Sequence, residues 1–362
     1  GNPTRDQRRR VRLLRAYWHI FKSAGSAMKS GRQGDQIFRY FVLETLDKLG
    51  FFKYLQQPRA YGEILAEFGF STGEYTQEVF NTLLYDSENV IVHNSGTYVA
   101  NKDVPIPSLD NILARIDPRL RFATQIAEPL SQVILDRLQD KHIGVAEVFE
   151  RDDYRVVNMF NEVLDTRIYS AVREACFAYL TIKERRWLRG KKLIEIGCGS
   201  GRETAEIWLH LDGETSITAV DPVPGMLELA QSNFMDLLRE TDPAHPPVTE
   251  KNRPHFKEGS ATRLPFDDNS FDASYWAFML HWTADPKKAI SEVVRVVRPG
   301  GLIFGSQILK PYVNPYLNLV VRSSRNSYGF FWREDYVKWF AEEGLEIDIA
   351  TPAGIIRVTN KA

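Results

Sequence analysis

Hydrophobic and polar residues alternate in blocks between residues 191 and 226, and the blocks predict a strand, a turn, a helix and a second strand. The mostly apolar runs 193–196 and 217–220 are typical of buried strands. Three glycines at alternate positions, within 197–201, predict a tight turn after the first strand, and Asp221 ends the second. Such a crossover places both strand ends at one edge of a parallel sheet, where an acid can bind a ribose. The segment therefore predicts a site for a nucleoside-containing cofactor.

The glycine spacing separates two kinds of nucleoside cofactor. Dinucleotide sites use G-x-G-x-x-G/A, whose last small residue lets the helix pack close to the strand. Arg202 occupies that position and is too long for it. Residues 195–201 instead read E-x-G-x-G-x-G, which resembles motif I of class I S-adenosylmethionine-dependent methyltransferases. The resemblance implies S-adenosylmethionine as cofactor, S-adenosylhomocysteine as product, and Asp221 as the ribose-binding residue.

Two later segments carry the same resemblance. Residues 258–272 are similar to the family's GDA…LPF…DNSFD segment, with Ser260 where Asp is common, which implies an adenine contact from the Ser260 hydroxyl or the backbone. Residues 294–301 are similar to the family's VLKPGG turn. The resemblance implies a Rossmann-like α/β sheet over residues 187–362, with a hairpin at 346–358. The implied cofactor-binding residues are Glu195, Gly197, Gly199, Gly201, Asp221, Met226, Ser260 and Ala261.

The front half of the chain has a different pattern. Residues 61–70 and 75–85 have apolar positions at helical spacing, and residues 90–99 predict a hairpin around an Asn-Ser-Gly turn. Two helices and a hairpin predict a winged helix. A DNA-binding winged helix needs Lys and Arg against phosphate, whereas residues 60–101 contain neither. The segment resembles the N-terminal winged-helix dimerisation domain of small-molecule O-methyltransferases of the plant caffeate and bacterial polyketide-tailoring type, which implies a homodimer that binds no nucleic acid.

The resemblance divides the chain into a helical winged-helix dimerisation domain at 1–117, a helical connector at 118–186 and the methyltransferase domain at 187–362. Residues 148–164 of the connector are similar to the family's FE…FN..M stretch, whose inner face lines the substrate pocket. The resemblance implies that Phe160 and Asn161 bind the substrate. A plain core position is the alternative for Phe160, because its spacing is also that of a buried helix face.

The segment FMLHWTAD at residues 278–285 bears on the chemistry. It is similar to the HDWSD segment of the O-methyltransferases, whose His deprotonates the acceptor hydroxyl, and this implies His281 as the catalytic base and Trp282 as a substrate contact. A His placed on the hydroxyl makes the nucleophile available at neutral pH, a gain of about 10²–10⁴ in rate. The Asp between His and Trp is missing here, and a structural or substrate-packing role for His281 is the alternative.

Composition adds to this mainly by exclusion. The 362 residues are 43% hydrophobic and 26% charged, as in a globular chain of two domains, and the net charge of −1 gives no field that favours nucleic acid or an anionic membrane. Cys176 and Cys198 lie in apolar patterns, which argues against a disulfide framework. His245 and His255 have no acidic residues at the spacing of metal ligands, so no metal is assigned. The lack of a long apolar run or a leader predicts a cytoplasmic protein, and Gly1 in place of Met predicts a processed chain or an excised piece of a longer one.

Three classes of function remain open. The first is methylation, at oxygen, of a small apolar or aromatic biosynthetic acceptor. The second is carbon methylation of an acyl thioester in a polyketide-type pathway, favoured by an Arg-rich first helix that could dock an acyl carrier protein but otherwise predicts a solvated or subunit-crossing arm. The third is a non-catalytic winged-helix regulator with a retained cofactor pocket, disfavoured by the lack of Lys and Arg in residues 60–101. The arginines of the first helix are Arg5, Arg8, Arg9, Arg10, Arg12 and Arg15.

Overall fold

The computed structural model describes residues 5–22, 24–116, 118, 127–141, 167–324 and 326–360 of the chain. Its helices are α1 (Arg5–Lys22), α2 (Ala24–Lys48), α3 (Phe51–Tyr54), α4 (Tyr61–Phe68), α5 (Glu74–Leu84), α6 (Leu109–Leu113), α7 (Ala127–Leu138), α8 (Arg167–Tyr179), α9 (Ile182–Leu188), α10 (Arg202–His210), α11 (Pro224–Thr241), α12 (Pro286–Val296), α13 (Pro315–Arg322) and α14 (Arg333–Glu342), with a 3₁₀ turn at Leu280–Trp282. Its strands are β1 (Arg59–Ala60), β2 (Ile91–Asn94), β3 (Thr97–Ala100), β4 (Lys192–Ile196), β5 (Ser216–Asp221), β6 (His255–Glu258), β7 (Phe271–Ala277), β8 (Val297–Ser306), β9 (Asp348–Ala350) and β10 (Ile355–Thr359). Within the described ranges, no helix is both long enough and apolar enough to span a bilayer.

The chain folds into two compact units. The sheet unit contains residues 1–28, 160–312 and 330–362, and the helical unit contains residues 29–159 and 313–329. In the sheet unit α1 packs on α8, and in the helical unit α13 packs on α5 and α7. Neither unit is therefore one continuous stretch of chain.

A seven-stranded sheet forms the centre of the sheet unit, with strand order β6-β5-β4-β7-β8-β10-β9. The first five strands are parallel, and β10 runs antiparallel to both β8 and β9. This confirms the predicted α/β fold and its final hairpin, in which Ile355 lies opposite Ala350. Strand order reverses between β4 and β7, where Ile196 lies opposite Trp276. Open parallel sheets bind their ligands at such a switch point, beyond the carboxyl ends of the strands.

Helices cover both faces of this sheet, as its nearly continuous apolar strands require. Helices α1, α8, α10 and α11 pack on one face, where Leu193, Trp208 and Tyr275 are fully buried. Helices α12 and α14 pack on the other face, around Ile194. Because side chains alternate along a strand, Glu195 shares the face of Leu193 and points toward α10.

The predicted helices and hairpin of the front half are confirmed as α4, α5 and the β2–β3 pair, and β1 adds a third strand beside β3. Ser95 and Gly96 have φ angles of 51° and 81°, so the hairpin closes through a two-residue loop whose twist suits the flanking strands. Aromatic rings fill the core of this region, with the rings of Tyr61 and Tyr98 centred 5.0 and 5.2 Å from that of Phe80. The winged-helix assignment and its dimerisation role stay predictions.

Helix α1 differs from the solvated arm predicted for its arginines. Arg12 is buried and donates to Asp348 in β9, and Ala16 enters the core below it. Leu14 and Phe21 of the same helix are each 72% exposed. The solvated interpretation is therefore wrong for Arg12, because the acid of β9 supplies its partner and the small Ala16 lets the helix approach on that side.

Candidate active site

Gly197, Gly199 and Gly201 carry the chain from β4 into α10. All three have positive φ, at 73°, 52° and 88°, where a residue with a side chain is strained. A Cβ on Gly197 would collide with the Met279 side chain, and one on Gly201 would lie 2.9 Å from Cα of Ala230 in α11. A Cβ on Gly199 would meet nothing within 4 Å. The turn is therefore tightly packed at both ends and open at its middle, where a ligand can approach the backbone.

Glu195 lies beneath this turn with 1% of its surface exposed. Its Oε2 accepts a hydrogen bond from Thr204 Oγ1 at 2.5 Å, whereas no described residue bonds to its Oε1. Burial raises the pKa of Glu195 to about 8, despite the opposing effect of the Thr204 bond. A buried carboxyl oxygen without a partner is costly unless a ligand meets it. Glu195 is therefore suited to the ammonium group of an amino-acid moiety.

Asp221 ends β5 beside the glycine turn and is also buried. Its Oδ2 accepts from the backbone N–H of Gly199 at 3.0 Å and its Oδ1 from that of Val223 at 2.9 Å. Burial raises the pKa of Asp221 to about 6, although the two backbone bonds lower it in part. Each oxygen keeps a further lone pair, so the carboxylate can brace the turn and still accept from ribose hydroxyls. The ribose contact stays a prediction, and the bond to Gly199 is a second role that the sequence does not show.

The other predicted cofactor residues lie on the segments that follow β5 and β6. The backbone N–H of Gly259 donates to the Asp221 carbonyl at 3.1 Å, which ties the start of the Ser260 loop to the tip of β5. Ser260 is exposed, whereas Ala261 is buried and Met226 is buried in the first turn of α11. The Ser260 hydroxyl accepts from the backbone N–H of Thr262 at 3.3 Å and lies 2.9 Å from Thr262 Oγ1, so its adenine contact stays a prediction. Ala261 and Met226 offer apolar surface and backbone.

A buried polar network fixes the start of α10. Arg173 of α8 donates to Glu203 Oε1 at 2.9 Å, and Tyr275 of β7 donates to Glu203 Oε2 at 2.7 Å. All three residues are buried, and charges at such depth persist only when paired. Because Thr204 follows Glu203 in the same helical turn, the network also positions the hydroxyl that bonds to Glu195.

The turn after β7 carries His281 next to the glycine turn. Phe278 has a φ of 49°, which is strained for a bulky residue, and its backbone N–H donates to a carbonyl of β8 at 2.9 Å. The following residue, Met279, is the one that fills the space beside Gly197. Backbone strain of this kind, roughly 1–3 kcal/mol, clusters at functional sites where the surrounding structure holds it. The strained turn thus places His281 at the switch point of the sheet.

His281 is 5% exposed and lies in an apolar, aromatic environment. Its ring stacks on Phe330, with centroids 4.3 Å apart and planes 19° apart, and the ring of Trp282 is centred 5.4 Å away. Its Nδ1 lies 3.1 Å from Nε2 of Gln307, the residue directly after β8. Burial lowers the pKa of His281 to about 3. The imidazole is therefore neutral at physiological pH.

The structure thus brings Glu195, the glycine turn, Asp221 and His281 to one edge of the sheet. Phe160 and Asn161 lie outside the described residues, so their substrate contacts stay predictions. Sequence reasoning missed Gln307, whose one signal is its place at the carboxyl end of a parallel strand.

A separate cluster lies on α8 and α10. One ligand atom each of Glu174, Glu206 and His210 lies within 4.8 Å of the others, and His210 Nε2 is 3.3 Å from Glu174 Oε1. All three are half-buried, and acidic groups near a surface often lie together without an ion. The absence of a metal stays a prediction.

The glycine turn, the acid at the tip of β5 and the strand order define the class of this part of the protein. The chain contains a class I S-adenosylmethionine-dependent methyltransferase domain, and a family profile described as a methyltransferase domain matches residues 194–305. The demethylmenaquinone methyltransferase of Paenarthrobacter aurescens is 29% identical over 184 residues, which are 48% of this chain and 62% of that protein. The malonyl-[acyl-carrier protein] O-methyltransferase of Serratia marcescens is 29% identical over 119 residues, which are 33% of this chain and 39% of that protein. The chain therefore spans less than two thirds of the length of these relatives.

Several solved structures are similar over nearly the whole chain. The citrinin polyketide synthase CMeT domain has a TM-score of 0.67 at 13% identity, covering 97% of this chain and 98% of its own. The CurJ carbon methyltransferase has a TM-score of 0.62 at 14% identity, covering 93% and 94%. The O-methyltransferase family 2 protein of Planctomyces limnophilus, in complex with apigenin, has a TM-score of 0.50 at 16% identity, covering 91% and 93%. At these identities the likeness is one of fold.

The residues of the site fit S-adenosylmethionine. The unpartnered Oε1 of Glu195 would meet its ammonium group, the carboxylate of Asp221 its ribose hydroxyls, and the open backbone at Gly199 would lie along it. When bound, this cofactor supplies an electrophilic methyl group on a sulfonium.

Binding of the product S-adenosylhomocysteine is expected to release about one proton at pH 7, because Glu195 is protonated below a pKa of about 8 and the arriving ammonium favours its ionised form. Affinity should therefore rise with pH by about tenfold per unit below pH 8. The free energy of unfolding of the unliganded protein depends on pH in the opposite direction. It falls as pH rises from the ordinary Glu range toward 8, because the Glu195 carboxyl ionises at lower pH in the unfolded chain than in the folded one.

Titration calorimetry at pH 7 in buffers of different ionisation enthalpy measures the released proton. Glu195→Gln should abolish the release while the fold is retained. A binding enthalpy that does not depend on the buffer in the unaltered protein would show that Glu195 does not meet the ammonium group.

Proposed function

We propose that this chain transfers a methyl group from S-adenosylmethionine to the activated carbon of a carrier-bound acyl thioester. The observation that carries this proposal is the fold likeness to carbon methyltransferases, which extends over 97% of the chain for the citrinin polyketide synthase domain, well beyond the matched segment 194–305. The malonyl-[acyl-carrier protein] O-methyltransferase among the relatives supports a carrier-bound acceptor.

The acceptor chemistry suits the buried, neutral site. The α-carbon of a β-ketoacyl thioester lies between two carbonyl groups, so its proton can be lost to water to give an enolate. That carbon forms a bond to the methyl group as the carbon–sulfur bond breaks, and the electron pair stays on the sulfur. The protein has to stabilise the enolate oxygen, and a neutral His281 beside Phe330 and Trp282 provides a polar group in an otherwise apolar environment.

Methylation at oxygen is the second candidate. It is supported by the whole-chain fold likeness to the apigenin-bound O-methyltransferase, with the lower TM-score of 0.50. In that case His281 would take the proton of a hydroxyl group. The methyltransferase domain and the relatives support an enzyme over a non-catalytic regulator.

Methylation at carbon and methylation at oxygen are distinguished by which substrate the chain methylates. We expect the chain, supplied with carbon-13-methyl S-adenosylmethionine, to methylate a β-ketoacyl pantetheine thioester, and carbon NMR to place the label on carbon. An α,α-dimethyl analogue, which has no α proton, is the matched control and should be inert. Labelling of a free phenol without labelling of the thioester would overturn carbon methylation in favour of oxygen.

A further inference from the structure

We propose that Gln307 is a positioning residue that holds His281 in the tautomer protonated at Nε2, so that His281 meets the acceptor as an N–H donor. The proposal deepens the carbon methylation proposed above and rests on it for its catalytic consequence. The assignment of the tautomer itself rests only on hydrogen bonds within the sheet unit.

The orientation of the Gln307 amide is fixed by two backbone groups. Its Oε1 accepts from the backbone N–H of Leu280 at 3.1 Å, and its Nε2 donates to the carbonyl oxygen of Ile308 at 3.0 Å. A flipped amide would set N–H against N–H and oxygen against oxygen, and would lose both bonds. Gln307 is fully buried, so water cannot replace them.

This orientation determines the tautomer of His281. The amide NH₂ has two hydrogens, of which one goes to Ile308 and the second points to His281 Nδ1 at 3.1 Å. Nδ1 must therefore accept, and a neutral imidazole that accepts at Nδ1 carries its hydrogen at Nε2. Within the described part of the chain, Nε2 has no hydrogen-bond partner and no charged group pairs with the ring, which faces Phe330, Trp282 and Gln307.

An N–H donor and a general base require opposite protonation of Nε2. The Nε2 hydrogen can stabilise negative charge as it develops on the thioester oxygen of an enolate, the type of contact that is worth about 10²–10³ in rate. Removal of a hydroxyl proton needs a lone pair at Nε2, which requires the other tautomer and would turn the Nδ1 hydrogen against the Gln307 amide. The geometry thus favours a carbon acid whose proton leaves to solvent over a hydroxyl that needs a protein base.

The tautomer can be measured without substrate. Long-range proton–nitrogen NMR on the full chain with nitrogen-15 histidine, with the His281 signals assigned by their loss in His281→Ala, should show the Nε2-protonated pattern at pH 7. Gln307→Glu should reverse the pattern, because a carboxylate accepts from Nδ1–H. Gln231→Glu, on the exposed surface of α11, is the matched control and should leave it unchanged. An Nδ1-protonated ring in the unaltered protein would overturn the proposal, even if Gln307→Glu fails to fold.

Kinetic measurements then test the catalytic role of Gln307 separately from the tautomer of His281. With the β-ketoacyl pantetheine thioester, Gln307→Glu should lower kcat about 10²-fold and give the rate a new dependence on pH, with cofactor affinity unchanged. An unchanged kcat and pH profile would overturn the positioning role. If the ring is protonated at Nε2 but the unaltered chain turns over no thioester, the proposed function fails and the tautomer assignment stands.

Discussion

Replacing His281 by alanine is expected to lower turnover by about 10²-fold or more while cofactor affinity stays nearly intact. The loss falls on the transition state, because the side chain is neutral and is not among the residues that fit the cofactor. Single-turnover rates with saturating cofactor measure the effect, and calorimetry with S-adenosylhomocysteine checks the affinity.

His281→Gln distinguishes the two chemical roles of this residue. A glutamine amide can donate a hydrogen bond but cannot take a proton, so it should recover part of the rate if His281 is a donor and none if it is a base. A base would also make the rate titrate with its own pKa, whereas burial places the pKa of His281 at about 3, outside the usual assay range. Turnover within a few-fold of the unaltered protein in His281→Ala would instead assign the packing role that Phe330 stacking permits.

The central part of the sheet could be predicted from sequence because its signals are local. The apolar runs at 193–196 and 217–220 became β4 and β5, and the three glycines form the predicted turn after β4. The residue types that mark each of these features lie within a few positions of one another, so the pattern and the structure agree. The hairpin around Ser95 and Gly96 was predictable for the same reason.

The limits of β8 and the position of α1 depend on partners far along the chain. The segment at 298–301 was predicted as a turn, and it interrupts the ladder with β7, because Phe271 pairs with Val297 and Ala273 already pairs with Leu302, while Gly300 has a φ of 79°. The segment still belongs to β8, which begins at Val297, since Asn360 exchanges backbone hydrogen bonds with Gly300 and Gly301. Similarly, the burial of Arg12 depends on Asp348, which no periodicity within the first helix can indicate.

Within the site, the residue types were predictable and their second roles were not. Asp221 could be recognised as an acid at a strand tip, but its bond to Gly199 appears only once the strand and the turn are side by side. Gln307 is a single polar residue after an apolar strand, and only its bonds to Leu280, Ile308 and His281 show why an amide is needed there.

Replacing Arg173 by methionine is expected to destabilise the chain by about 3–5 kcal/mol, because it leaves the carboxylate of Glu203 buried without its cationic partner. Arg239→Met is the matched control, since Arg239 pairs with Asp236 at 3.2 Å but both side chains are more than 60% exposed, and its removal should cost no more than about 1 kcal/mol. Urea unfolding followed by near-ultraviolet circular dichroism compares the two.

A double variant shows whether the buried charge itself is the cause. Arg173→Met with Glu203→Gln keeps an acceptor for Tyr275 but removes the unpaired charge, so it should recover much of the lost stability. If Arg173→Met is no less stable than Arg239→Met, the pair does not hold α10 in place. If the double variant remains as unstable as the single one, the cause is the lost packing of the aliphatic part of Arg173 and not the unpaired carboxylate of Glu203.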